Sequence, residues 1–158
     1  MDHSVTRSPP RNDLYEADFY EWTQEQARLL RERRWDDLDV ENLIEEVASV
    51  GRSDKNEIRS RLEILLAHLL KWQYQPGYRS PSWTSTLFEQ RGRIISIIED
   101  SPSLAHYPAE QVTRSYMAAR LLAAKETGIA FGLFPEECPF PPDRVLDLEY
   151  FPEDRSIE

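Results

Sequence analysis

Between Ile58 and Trp72 the chain places apolar residues at 58, 62, 65, 69 and 72, which fall within about 80° of one another when each residue turns a helix by 100°. Ile64, Leu66 and Leu70 widen that stripe until most of the helix surface is apolar. A helix apolar on several sides has to be surrounded by other elements. Its end is set by Pro76 and Gly77, because the residue before proline avoids the helical region and glycine releases the chain.

The surrounding elements read as helices too. Residues 1–12 are polar, contain Pro9 and Pro10 and have no hydrophobic period, so a tail is expected there. Asp13 can cap a first helix in which Tyr15, Phe19, Trp22, Gln26 and Leu29 or Leu30 recur at helical spacing up to about Arg34. Asp39 is the next N-cap, with Leu38 placed to staple against Leu43. From Val40, apolar residues fall at 40, 43, 44, 47 and 50 while Glu41, Asn42, Glu45 and Ser49 take the opposite arc, the amphipathic pattern of a helix that faces a core. Gly51 is the expected stop and Ser53 the cap of the central helix. Ser80 and Pro81 open a fourth helix that closes at Ser101 before Pro102. Pro108 opens a fifth, which ends at Gly128. Beyond it a proline-rich segment is expected to wrap over the bundle in extended form, with one short helix near Asp143 to Leu148.

No strand pair or hairpin signal interrupts this series. The expected fold is all-α: an antiparallel bundle of four or five helices with an extended, proline-rich C-terminal segment. The spacing assigns 13–150 to one helical-bundle domain and 151–158 to a C-terminal tail.

Nineteen basic residues against twenty-nine acidic ones leave a net charge of −10, which repels phosphate backbones and anionic lipid surfaces. Nucleic acid and membrane are therefore not expected partners. Arg28, Arg31, Arg33 and Arg34 form a local exception, read as cations that complement the C-terminal dipole of the first helix. Cys138 is the only cysteine, so neither an intrachain disulfide nor a thiolate zinc site can be built. The opening MDHSVTRSPP has no apolar h-region, and no 18 apolar residues run together. A cytoplasmic location is the expectation.

The stretches running from DLYEADFYEWTQ through LLAHLLKWQYQP, then SPSWTSTLFEQRGRI, IIEDSPSL and FPEECPF, resemble a bacterial family of small proteins known as domain of unknown function twenty-nine. The resemblance covers about residues 13–141. It implies a helical fold, and it implies no activity, cofactor or site residue.

Candidate chemistry concentrates around His68, which lies at the edge of the central apolar stripe with Arg61 and Gln75 a heptad away on either side. Imidazole changes charge near neutral pH, so His68 is a candidate acid–base group with Glu46 or Glu45 as its orienting carboxylate. The competing account is a half-buried histidine satisfied by a carbonyl and by Glu or water. Trp72, Tyr74, Tyr78 and Trp83, interleaved with Lys71 and Arg79, could line an aromatic pocket or simply seal the end of the core. No metal site and no cofactor are expected, because Glu-x-x-His on two helices is missing and the glycines are too scattered for a phosphate loop. Cys138, between Glu137 and Pro139, has acidic company and makes a poor nucleophile. The favoured reading is a non-enzymatic helical domain acting through protein contacts or self-association. The alternative is a small enzyme or ligand-binding protein built on His68, Glu45, Glu46 and the aromatic corner.

Overall fold

Asp18 divides the first expected helix in two. In the computed structural model, which describes residues 11–155, α1 spans Arg11–Ala17 and α2 spans Phe19–Arg31. Asp18 adopts φ −152°, and its carboxylate accepts the Glu21 amide N–H at 2.9 Å, an exchange that lets a new helix start. The chain is already helical at Arg11; the rest of the expected tail and the Asp13 side chain lie outside the described residues. α2 ends in a Schellman turn, with Arg34 N–H on the Leu29 carbonyl at 3.0 Å and Arg33 N–H on the Leu30 carbonyl at 3.2 Å. Arg33 takes the left-handed position (φ 57°) that glycine usually occupies.

α3 corrects the expectation of two helices separated at Gly51. It is a single helix, Val40–Tyr74, with no break at Gly51, Arg52 or Ser53. One mid-helix glycine costs only about 1 kcal/mol relative to alanine, too little to stop a helix that both flanking stretches favour. The fold divides into two compact units, one up to Gly51 and the other from Arg52 onward. The remaining α-helices among the described residues are α4, Pro81–Asp100, and α5, Tyr107–Thr127. As the sequence predicts, Ser80 caps α4, Pro81 and Pro108 sit in the first turns of their helices, and Gly128 (φ 74°) ends α5 in the left-handed region. No strand occurs among the described residues, and the fold is all-α.

In the second unit α3 is the axis, as its apolar breadth requires. Ile58, Leu62, Leu65, Leu66, Leu69 and Leu70 are fully buried against Leu87 and Ile94 of α4 and Val112, Tyr116, Ala119 and Ala123 of α5. Burying each of those large aliphatic side chains contributes about 2 kcal/mol. The chain after Gly128 covers this core through Phe134, Phe140 and Val145. Among the described residues its one helical piece is a 3₁₀ turn at Phe131–Leu133. The short helix expected near Asp143 to Leu148 is instead a run of tight turns, with Arg144, Asp147 and Tyr150 each donating to the carbonyl three residues back.

Buried arginines hold that covering segment by its carbonyls. Arg91, fully buried on α4, donates Nε–H to Val145 O at 2.9 Å and Nη2–H to Tyr150 O at 2.8 Å. Arg120 on α5 donates to Phe134 O at 3.0 Å and to Phe131 O at 3.3 Å. A segment without regular structure must satisfy its carbonyls some other way, and a guanidinium reaches two at once.

Candidate functional site

The first unit is organised by a buried carboxylate. Trp22 and Gln26 on α2 are both nearly inaccessible, and both bond to Asp39. The Trp22 indole N–H donates to Asp39 Oδ2 at 3.0 Å, and the Asp39 amide donates to Gln26 Oε1 at 2.8 Å. Asn42 Nδ2 donates to the same Oδ2 at 2.7 Å, and the Asn42 and Leu43 amides close the first turn on Asp39 at 3.4 and 3.0 Å. Asp39 thus caps α3 as predicted and, in addition, fixes its rotation through Trp22. About two turns further on, the Tyr15 hydroxyl donates to Glu46 Oε1 at 2.6 Å. That bond, reinforced by burial and by the negative charge of Glu46, pushes the Tyr15 pKa up to about 12. Tyr15, Phe19 and Trp22 pack ring on ring at 4.9 to 5.7 Å.

These bonds turn the start of α3 opposite to the expected way. Its half-buried arc is Asn42, Leu43, Glu46 and Ser49, whereas Val40, Ile44, Val47 and Val50 face outward. Val47 is 73% exposed and Ile44 65%. Leu38, Val40, Leu43, Ile44, Val47 and Ala48 line an open apolar groove of about 460 Å³. Leu38 and Leu43, expected to staple, both line it. Glu41 and Glu45, at 100° and 140° from Val40 around the helix, border the Ala48 side and are exposed. Hydrophobic periodicity found this face and assigned it to a core; the polar network that overrides it depends on which carboxylate Trp22 and Tyr15 reach.

Two members of the basic cluster at the end of α2, Arg28 and Arg34, are paired with nearby carboxylates. Arg28 bridges Glu25 at 2.7 Å and Glu32 at 2.8 Å, and Arg34 meets Asp37 at 2.6 Å.

Of the other predicted site residues, Glu45 and Glu46 belong to the first unit and His68 and the aromatic corner to the second. His68 is half-buried and donates Nδ1–H to the Ile64 carbonyl one turn back on α3, at 2.9 Å. Burial depresses its pKa below the ordinary 6.5, a shift the Ile64 bond opposes and the Lys71 charge reinforces. Its neighbours along the helix have partners of their own. Arg61 pairs with Glu57 at 2.8 Å and donates to Gln90 at 3.1 Å, and the Gln75 amide reaches the Thr127 carbonyl at 3.4 Å.

At the corner, Trp72 lies beneath the Arg79 guanidinium (4.3 Å) and against the Phe151 ring (4.7 Å). Arg79 also donates to the Trp72 carbonyl at 2.7 Å and pairs with Asp154. Tyr74 is buried edge-on to Phe134 at 5.1 Å. Trp83 receives the Lys71 ammonium over its face at 4.7 Å, while that ammonium pairs with Glu126 at 2.6 Å. Tyr78 is largely exposed. The covering segment thus supplies the Phe134 and Phe151 rings and the Asp154 carboxylate to the corner. Cys138 is half-buried with its pKa raised, and the first cause is burial rather than the acidic neighbours.

Among the described residues no three His, Cys, Asp or Glu side chains gather as a metal site would require, and no helix is long and apolar enough to cross a membrane. Comparison with curated proteins and with solved structures returned no match. A family model does match, over residues 14–151, most of the chain's length. The chain belongs to the family described as domain of unknown function DUF29.

Proposed function

We propose that this protein is a contact module whose first unit binds an amphipathic helix with basic flanks, contributed by another protein, in the groove formed by Leu38, Val40, Leu43, Ile44, Val47 and Ala48. The observation that supports this reading is the outward turn of the apolar arc of α3. A contiguous apolar face rimmed by charge is characteristic of an interaction surface. Val40, Ile44 and Val47 stand at the i, i+4, i+7 spacing that a helix laid alongside would meet with its own apolar stripe. Charge selects the occupant. Glu41 and Glu45 border the groove and the chain carries −10 overall, so basic flanks on the incoming helix are complementary. A second copy would bring the same carboxylates to the same border.

The test is a titration of the full chain with two labelled helical peptides of identical leucine pattern, one flanked by lysine and one by glutamate. Saturable binding of the lysine peptide alone is expected. Equal binding of both, or of neither, contradicts the reading, as does sedimentation of the chain alone as a dimer that Ile44→Glu dissociates.

A further inference from the structure

A second cleft, entirely within the second unit, carries the opposite chemistry. Asn56, Arg59, Ser60 and Glu63 on α3 and Arg114 and Ser115 on α5 line a polar cavity of about 400 Å³, within the size range of small-molecule sites. Ser115 is 2% exposed, and its Oγ has no hydrogen-bond partner. A helical serine ordinarily turns its hydroxyl onto the carbonyl four residues back; this one does not. Arg59 Nε is likewise buried without a partner, although its Nη2 donates to Asn56 Oδ1. Buried polar atoms are almost always satisfied, and these two donors beside one cleft are free to meet an acceptor brought by a ligand.

We propose that this cleft binds a small amino-carboxylate. Its carboxylate is held by Arg59 Nε and the Ser115 hydroxyl, with Arg114 supplying charge at the mouth. Its ammonium end meets Glu63, one helical turn beyond Arg59. Two guanidiniums and one carboxylate line the cavity, so a zwitterion is matched end for end, whereas a multiply charged phosphate would meet Glu63 as a like charge. The site is independent of the groove on the first unit.

Calorimetric titration of the full chain with glycine, 4-aminobutanoate, acetate, ethylamine and inorganic phosphate tests it. At least one amino-carboxylate should bind saturably and about tenfold or more tighter than acetate or ethylamine. Ser115→Ala, which removes only an unpartnered hydroxyl, and Arg114→Gln, at an exposed position, should each weaken it several-fold with unfolding unchanged. Glu63→Gln should abolish the preference for the amine-bearing ligands over acetate. The proposal is overturned if neither amino-carboxylate binds, if binding survives Ser115→Ala and Arg114→Gln unaltered, or if phosphate binds tighter than both.

Discussion

The Tyr15 hydroxyl donates to the Glu46 carboxylate at 2.6 Å, and Val47, the next residue along α3, is 73% exposed. Glutamate is thus the inward neighbour and valine the outward one. The bond also has a pH signature. Neutral Tyr15 is favoured in the folded chain, so the folded pKa of about 12 lies above the ordinary 10.0. Its contribution is fully present below pH 10 and is lost as pH rises toward 12. Absorbance titration of the phenolates should show one tyrosine ionising near 12 in the wild type, and Glu46→Gln should return it toward 10.

Asp39→Ala removes an N-cap, worth about 1 kcal/mol, and leaves the buried Trp22 N–H without its acceptor, worth about 1–3 kcal/mol more. Chemical denaturation followed by tryptophan fluorescence should show a loss of about 2–4 kcal/mol. Asp39→Asn, which keeps one of the two acceptor oxygens, should fall between.

Gly51→Ala should stabilise. A Cβ at Gly51 meets nothing within 4 Å, the helix is continuous there, and alanine gains about 0.5–1 kcal/mol over glycine in a helix interior. A higher midpoint in urea checks it, and a lower one would mean that the helix bends or breaks at this position.

How legible this was depends on which force decides each element. The axis of the second unit could be read from Ile58 to Trp72 because burial on several sides leaves a pattern in one segment alone. Ser80, Pro81, Pro108 and Gly128 were legible because caps and prolines act on their own backbone. Asp18 carried the same kind of signal, with Glu21 three residues on, but Phe19 and Trp22 kept the helical period across it and concealed the break. Gly51 misled because local propensity is weak beside continuous helix on both sides. The rotation of α3 in the first unit was not legible, since it rests on the Trp22–Asp39 and Tyr15–Glu46 bonds between residues 17 and 31 positions apart. Nor was the polar cleft, whose arginines and serines come from two helices and share no sequence spacing.

Arg91→Ala should expose the covering segment. It strips the Val145 and Tyr150 carbonyls of their donor, at about 1.5–3 kcal/mol for each bond to a charged group. Limited proteolysis should then cut between residues 141 and 155 under conditions that leave the wild type intact. Arg91→Lys should not restore protection, because an ammonium cannot span both carbonyls as the guanidinium does.

His68→Gln should cost about 1 kcal/mol, a lost hydrogen bond's worth. Because burial lowers the folded pKa of His68, the unfolded chain takes up the proton first. Its contribution is therefore present above about pH 6.5 and lost as pH falls through the folded value. Thermal melts from pH 7 to 5 should decline less steeply in the variant.

The central claim is that the apolar arc of α3 faces outward for a partner. Val47→Asp tests it most directly when stability and binding are measured on the same protein. The account predicts unfolding within about 0.5 kcal/mol of wild type, with affinity for the lysine-flanked helical peptide reduced about thirtyfold, the loss of one anchor worth about 2 kcal/mol. Destabilisation by about 3 kcal/mol or more, the cost of a charge forced into a core, would place Val47 inside the fold and contradict it.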